Sequence, residues 1–100
     1  MNKIPNEFVF HGHVIKVKRV SETDLNNFGY YNDAREEIVL AENIRDGKDL
    51  IPLTETQILA TFLHELIHAM QWHSGVEYDE REAQTYSGLL IEFLNSRKYE

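Results

Sequence analysis

The first half of the chain has the hydrophobic pattern of β-strands. Residues 8–10 form an apolar run, and residues 14–20 alternate roughly between apolar and basic side chains. The sequence His11-Gly12-His13 lies between these runs, and a glycine in that position is typical of a tight turn. The pattern predicts either a hairpin with Gly12 near its turn or two short strands.

A second hairpin is predicted over residues 29–41. It starts with Gly-Tyr-Tyr, continues through turn-forming side chains at 32–35, and ends in Glu37–Ala41, the run with the highest β-propensity. Residues 21–28 are polar and predict a connection between the hairpins. Residues 46–49, with the sequence Asp-Gly-Lys-Asp, predict a surface loop.

The second half of the chain has the period of α-helices. Thr54 is followed three residues later by Gln57, which is the capping-box arrangement at a helix start, and Gly75 is a typical helix stop. Between them, apolar residues recur at spacings of three and four, which predicts a helix side that faces the core. This stripe contains Leu59, Phe62, Leu63, Leu66 and Met70.

A second helix follows after a short connection. Asp79 and Glu82 form another capping-box arrangement. The inward-facing stripe predicted after them contains Ala83, Tyr86, Ser87, Leu90, Phe93 and Leu94. Because the connection is short, the two helices are expected to be antiparallel or steeply crossing neighbours. The predicted fold class is α+β: a small antiparallel sheet of two hairpins, followed by two packed helices, in a single domain over residues 1–100.

Composition excludes several classes of protein. The 100 residues include no cysteine, which rules out disulfides, thiolate metal sites and a cysteine nucleophile. The net charge of −7 argues against binding to the phosphate backbone of nucleic acids. No apolar run approaches about 18 residues and no secretion signal is visible, so a cytoplasmic location without a membrane partner is expected.

The chain carries two histidines four positions apart, with a glutamate directly after the first: His64, Glu65 and His68. In a helix these histidines are about 40° apart around the axis and about 6 Å apart along it, so both imidazoles can reach one metal ion. Glu65 lies about 100° from His64, where it can act as a base beside the metal. The sequence HELIH therefore matches the zinc motif HExxH. The alternative is a group of polar residues on the helix face opposite the core stripe.

A catalytic zinc site needs a third protein ligand. Gln71 and Ser74 stand where the metzincin pattern has glycine and histidine, which excludes that class, and His73 is expected to be solvated at the helix end. The remaining candidates are carboxylates at the start of the second helix. Glu82 is expected to partner the N-cap residue, which leaves Glu80 without a local role; both stay open as the ligand.

Three stretches together resemble a known family: GYYNDAREEIVLAE, TFLHELIHAM and EREAQTYSGLLIEFL. They resemble gluzincin-type zinc metallopeptidases of the ImmA/IrrE-like family, frequent in phages and mobile elements, over about residues 29–95. The resemblance implies a zincin-like fold and a zinc ion held by His64, His68 and Glu80. The last assignment follows from the family's spacing, in which the ligand glutamate stands three residues before an alanine, Ala83 here.

The resemblance also implies a function. The expected enzyme is a zinc-dependent peptidase that hydrolyses bonds in a peptide or protein substrate, with Glu65 activating the zinc-bound water. The family has aspartate or asparagine where this chain has Gln84, which is expected to orient a ligand histidine less strongly. A catalytically weak or inactive module of this fold, which binds a regulatory protein partner, is therefore the alternative.

Two further expectations concern residues around the site. In proteins that resemble this one, an edge strand beside the active-site helix binds extended peptide, so Glu37–Ala41 is either that strand or a buried strand of the core. Tyr86 is expected to pack in the core rather than stabilise a reaction intermediate. His11 and His13 are expected to be turn residues first.

Overall fold

The strands precede the two helices, as the hydrophobic pattern predicts. The structure, a computed structural model, describes residues 4–24 and 27–99. Within these residues the elements are β1 (Glu7–Phe10), β2 (His13–Val20), β3 (Thr23–Asp24), β4 (Gly29–Asn32), β5 (Glu37–Ala41), β6 (Asn43–Asp46), β7 (Asp49–Pro52), α1 (Glu55–Ser74) and α2 (Glu80–Ser96). Several strands followed by two packed helices confirm the α+β class. Neither helix of this described part is long and apolar enough to cross a membrane.

Both predicted hairpins form within one four-stranded sheet, whose strand order is β1-β2-β5-β4. β1 and β2 are antiparallel, and the turn between them contains His11 and Gly12, which both have positive φ angles of 51° and 80°. β4 and β5 are also antiparallel, with Gly29 opposite Leu40 at one end of the ladder. The turn predicted at Gly12 is therefore confirmed.

The central pairing of this sheet is parallel, so the predicted antiparallel arrangement is wrong at that position. β2 and β5 run side by side, from Lys16 opposite Glu37 to Val20 opposite Ala41. All five residues of β5 are buried, and strands buried on both faces are typical of parallel pairing inside a covered sheet. Each hairpin is a local feature of the sequence, whereas their mutual orientation depends on how the connecting segment crosses between them.

A second sheet, of order β3-β6-β7, lies outside the two predicted hairpins. β6 and β7 form a third hairpin, whose turn and last strand pair are made by residues 46–49, the segment expected to be a loop. All four residues of β7 are exposed, so this segment has no alternation of buried and exposed positions from which its pairing could be predicted. β3 falls within the expected connection over residues 21–28, of which residues 25 and 26 lie outside the described residues.

α1 begins and ends as the sequence predicts. The Thr54 hydroxyl accepts a hydrogen bond from the backbone N–H of Gln57, and the Gln57 side chain accepts one from the backbone N–H of Thr54. This reciprocal pair is the predicted capping box. At the other end Gly75 adopts the left-handed conformation, with φ of 75°, which satisfies the last helical carbonyl groups.

The buried surface of α1 is wider than one stripe. α1 packs against β4 and β5 on one side and against α2 on another, so residues outside the predicted stripe are buried too, among them Glu65 and His68. Met70, expected in the core, is exposed instead. Contact with α2, in addition to the sheet, therefore extends the buried side of α1 around the helix towards the HExxH residues.

α2 buries less of itself than its pattern predicts. Ala83 and Ser87 are buried, whereas Tyr86 and Phe93, both expected to face the core, are exposed. Most of its contacts are with α1, and a single helical neighbour covers only a narrow stripe. The apolar side chains beyond that stripe stay at the surface.

β4 approaches α1 closely at Gly29. A Cβ atom on this residue would lie 2.6 Å from the carbonyl oxygen of Val39 and 2.8 Å from Cγ2 of Thr61. A Cβ atom cannot lie so close to this oxygen and this carbon unless they move, so glycine fits here and a larger residue does not. The missing side chain lets the edge of the sheet lie directly against the helix that carries HExxH.

Candidate metal centre

Two histidines and one glutamate meet where α1 and α2 converge. Nε2 of His64 lies 3.3 Å from Oε2 of Glu80, and Nε2 of His68 contacts Oε1 of the same carboxylate. The two imidazole rings are 5.0 Å apart, centre to centre. Among the described residues, this is the one group of three His, Asp or Glu side chains whose ligand atoms all lie within 4.8 Å of one another. The structure thus brings together the three residues that the sequence and the resemblance indicate.

Local helix geometry and one capping residue position these side chains. His64 and His68 are one turn apart on α1, so their imidazoles project from the same side. The carboxylate of Asp79 accepts a hydrogen bond from a backbone N–H in the first turn of α2, which makes Glu80 the first residue of that helix. The short connection after Gly75 brings this residue back beside the histidines.

The site is buried on the side of α1 and open on the side of α2. The His68 side chain is 7% exposed and the His64 side chain 18%, whereas the Glu80 side chain is 79% exposed. Two imidazoles and a carboxylate form the donor set that zinc takes in several peptidases, in which one coordination position stays open to solvent or substrate. The chemistry and the one-sided exposure of these three donors therefore fit a zinc ion.

Gln71 orients His68. Nδ1 of His68 lies 2.8 Å from Oε1 of Gln71, and the Gln71 amide nitrogen donates to the backbone oxygen of Asp79 and to Oε1 of Glu82. These donor bonds fix the amide so that its oxygen faces the imidazole, which must then carry its proton on Nδ1. Nε2, the other ring nitrogen of His68, lies on the side of Glu80 and contacts its carboxylate. Such partners hold ligand histidines in metal sites.

The contacts of Gln71 also show that Glu80 and Glu82 have different positions relative to the histidines. The Glu82 carboxylate accepts a hydrogen bond from Gln71, while the Glu82 backbone N–H is held by Asp79. Glu82 therefore supports the partner of His68, and Glu80 faces both histidines. Gln84, expected to orient a ligand histidine, is exposed, and within the described residues its side chain makes no hydrogen bond to His64 or His68. Gln71 occupies that role instead, and its i, i+3 spacing from His68 on the same helix is the signal that indicates it.

Glu65 is buried beside His64, His68 and Glu80. Only 9% of the residue is exposed, and this burial is the largest cause that raises its pKa to about 7. The Glu80 carboxylate raises this pKa further, whereas His68 and a backbone hydrogen bond from Tyr31 lower it. A carboxyl group with a pKa near neutrality is suited to accept and return a proton.

An open cleft of about 480 Å³ runs along the site, between the end of β4 and the two helices. His64, Glu65 and Glu80 line its floor, and Phe28 and Gly29 line the wall next to the sheet. The backbone hydrogen bond from Tyr31 to Glu65 shows that the outer side of β4 faces the cleft, because the inner side of this strand pairs with β5. A ligand in the cleft therefore has access to an unpaired strand edge.

Glu37–Ala41, which forms β5, is not that edge. It pairs with β2 on one side and with β4 on the other, and all five of its residues are buried. The interpretation as a buried core strand is confirmed, and the interpretation as a peptide-binding edge strand is wrong. Sequence pattern identified the strand but not its neighbours, because pairing partners are set by the topology of the whole sheet.

Tyr78 is a residue near the site that the sequence analysis missed. Its ring lies 5.1 Å from the His68 ring, and its hydroxyl donates a 3.0 Å hydrogen bond to Oδ2 of Asp33. Burial and this bond to an anionic partner raise the Tyr78 pKa, so the phenol stays protonated. Tyr86 lies on the opposite side of α2 from the cleft and is exposed, so neither role considered for it is supported.

Two other sequence expectations concern histidines. His11 and His13 flank the β1–β2 turn, as expected. His73, expected to be solvated, has a side chain that is only 9% exposed, because the β1–β2 turn folds over the end of α1. None of the three belongs to the centre formed by His64 and His68.

Comparisons with protein-family models, with curated proteins and with solved structures found no match to this chain. The resemblance to ImmA/IrrE-like metallopeptidases therefore stays an interpretation of the three sequence stretches. What the geometry offers by itself is a compact donor set for a divalent metal, a buried carboxyl group beside it, and a cleft that reaches both.

Proposed function

We propose that the protein is a zinc-dependent peptidase that hydrolyses peptide bonds, with His64, His68 and Glu80 as the zinc ligands. One observation carries the proposal: these three donors converge within 4.8 Å of one another, and two of them, His64 and Glu80, line a cleft together with the buried Glu65. The HExxH spacing and the hydrogen bond from His68 to Gln71 support it. A site with a purely structural metal has no need of a buried carboxyl group at the position of Glu65.

The proposed reaction uses Glu65 as general base and then as general acid. A zinc ion bound here would supply Lewis acidity, which activates water and polarises a substrate carbonyl group. Glu65 takes the proton from the attacking water and passes it to the leaving amine. Burial raises the Glu65 pKa in the metal-free protein, which favours acceptance of a proton, and the Tyr31 backbone N–H holds the carboxylate in place. Gln71 contacts Nδ1 of His68, which leaves Nε2 of that ring as the nitrogen that would bind the ion.

The proposed substrate is a peptide or protein segment in extended conformation. The free edge of β4 borders the cleft, and extended peptides add to such edges through main-chain hydrogen bonds. Gly29 lets β4 lie close against α1 at this wall of the cleft. We further propose a cytoplasmic location, with zinc as the resident cofactor and without a nucleic-acid or membrane partner.

A second candidate function is a catalytically weak zincin-type module that binds a regulatory protein. One observation favours it: Tyr86, Leu89 and Phe93 lie on one side of α2 and are 51%, 55% and 61% exposed. Large exposed apolar side chains at helical spacing are typical of a protein-binding surface. In this candidate the metal would hold α1 and α2 together, and Glu65 would have no substrate.

Metal content and hydrolysis of a broad peptide pool test the two candidates together. The wild-type protein should bind zinc and cleave peptides. Glu65→Gln should retain zinc but cleave at least about a hundredfold more slowly, the scale of a lost general base. Glu55→Gln is the matched control, since it makes the same chemical change at an exposed position of α1 and should cleave like the wild type.

The outcomes separate the candidates. Zinc binding without cleavage of any peptide in the pool favours the module. Equal cleavage by Glu65→Gln and wild type contradicts the proposed mechanism. A wild-type protein that binds no zinc through His64 and His68 contradicts both candidates.

A further inference from the structure

A second group of metal-ligating side chains lies at the far end of α1 and is here named the histidine cluster: His11, His13, Glu36 and His73. Its members come from three separate places, the β1–β2 turn, the β4–β5 turn and the C-terminal end of α1. The His73 ring lies 5.4 Å from the His13 ring and 6.1 Å from the His11 ring, centre to centre. All histidines of the chain outside HExxH are therefore in this cluster.

His73 has a buried nitrogen without a hydrogen-bond partner. Its side chain is 9% exposed, and Nε2 makes no hydrogen bond within the described residues. Oε1 of Glu36 is 3.4 Å away, close enough for an ion pair, but the two atoms are not aligned for a hydrogen bond. Buried polar atoms nearly always have a hydrogen-bond partner. Nε2 of His73, which lacks one and faces Glu36, is therefore a candidate metal ligand.

Glu36 offers its two oxygens to two different histidines. Oε2 lies 3.1 Å from Nδ1 of His13, while Oε1 faces His73 at 3.4 Å. Adjacent ligand atoms around a tetrahedral ion with bonds of 2.0 to 2.1 Å are about 3.3 Å apart. Each of the two N···O distances is close to that value, and each involves a different oxygen of the Glu36 carboxylate.

Metal binding by the histidine cluster requires a movement of the His13 side chain, which is exposed. In the described part of the chain, only the HExxH group has all its ligand atoms within 4.8 Å of one another. The ligand atoms of the histidine cluster are further apart, so His13 must turn towards His73 before the cluster can surround an ion. The His13 side chain is 59% exposed, so this rotation moves it through solvent and exchanges its contact with Oε2 of Glu36 for the ion. His73 and Glu36, the more buried members, need not move far.

We propose that His13, Glu36 and His73 bind a divalent transition-metal ion, with His11 available as a fourth ligand, at a site separate from HExxH. Imidazole and carboxylate donors suit Zn²⁺, Ni²⁺, Cu²⁺ and Co²⁺, in contrast to Ca²⁺ and Mg²⁺, which prefer oxygen donors alone. The ion ties the turns of both hairpins to the end of α1. It stabilises the packing of the sheet on this helix by binding the folded state.

Zinc stoichiometry measured by chelator competition tests this site. The metal-free wild-type protein should bind two equivalents. Glu36→Gln and His13→Asn should each bind one, because either change removes a ligand of the cluster. Glu7→Gln makes the same chemical change as Glu36→Gln on an exposed residue of β1, paired only with Lys16, and should still bind two.

The double variant His64→Ala/His68→Ala separates this site from the proposed peptidase centre. It should bind one equivalent, and adding Glu36→Gln should abolish that binding. If the proposed function fails, the wild type should bind a single equivalent that Glu36→Gln abolishes. The second site is refuted if the wild type binds one equivalent that Glu36→Gln leaves intact.

Paramagnetic broadening locates the ion and covers the case in which the double variant does not fold. Wild-type protein preloaded with one equivalent of Zn²⁺ is titrated with substoichiometric Cu²⁺, and imidazole proton signals are followed by NMR. The signals of His13 and His73 should broaden before those of any other histidine. Broadening confined to His64 and His68, or uniform over all five histidines, would overturn the proposal.

Discussion

The Nδ1–H of His68 donates a 2.8 Å hydrogen bond to Oε1 of Gln71, one turn further along the same helix. The Gln71 amide is held in turn by Glu82 and by the backbone of Asp79 at the start of α2. A single glutamine therefore connects the tautomer of His68 to the packing of the two helices. Glu80, the residue after Asp79, is brought to the histidines by the same connection.

Gln71→Ala should weaken zinc binding by about 10- to 100-fold, the range found when partners of ligand histidines are removed. The physical reason is that His68 loses the acceptor that keeps its proton on Nδ1. Zinc affinity is measured by chelator competition at pH 7. Gln84→Ala is the control suggested by the family resemblance, and it should leave the affinity nearly unchanged. A larger effect of Gln84→Ala than of Gln71→Ala would return the orienting role to Gln84.

Glu80→Ala should weaken zinc binding more than Glu82→Ala does. Glu80 faces both histidines, whereas Glu82 acts through Gln71. The comparison uses the same chemical change two residues apart on α2, with affinities measured in one competition assay. The reverse order would assign the third ligand to Glu82.

The metal-free protein should lose stability through Glu65 as the pH rises from about 4.5 to about 7. Burial raises the Glu65 pKa from 4.5 to about 7, so in this window the folded state holds a proton that the unfolded chain has released. Stability then falls with rising pH, because the folded state binds more protons than the unfolded state. Glu65→Gln removes this dependence and should gain up to about 3 kcal/mol in free energy of unfolding relative to wild type by pH 7.

Urea denaturation in the presence of a chelator measures this difference at pH 4.5, 5.5 and 7. Parallel stability curves for wild type and Glu65→Gln would show that the Glu65 carboxyl group is not desolvated in the metal-free protein.

Gly29→Ala should destabilise the fold by about 1 to 3 kcal/mol, the usual effect of inserting a methyl group where there is no space. The new Cβ would meet the Val39 carbonyl oxygen and Thr61 Cγ2, and neither can move without shifting β5 or α1. Thermal or urea denaturation measures the change. Gly88→Ala in α2 is the control, because nothing lies within 4 Å of its Cβ position and alanine is the better helix former. That control should be neutral or slightly stabilising; equal losses from both variants would contradict the close approach at Gly29.

The features that the sequence determined by itself are those encoded within one element. The capping box of Thr54 and Gln57, the stop at Gly75 and the common side of His64 and His68 all follow from backbone hydrogen bonding and the period of 3.6 residues. The Gly12 turn is local in the same sense. Such features need no knowledge of what the element packs against.

The tertiary structure alone decided everything that depends on how two elements cross. The parallel pairing of β2 with β5 makes β4 the edge strand of that sheet, in place of Glu37–Ala41. The packing of α1 between the sheet and α2 buries Glu65 and raises its pKa. The crossing of α1 and α2 brings Glu80 to His64 and His68 and joins Gln71 to Glu82, although spacing in the chain left both glutamates open. The reason is physical: side-chain period is fixed by the local backbone, whereas contacts between elements depend on crossing angles and loop paths that no single segment encodes.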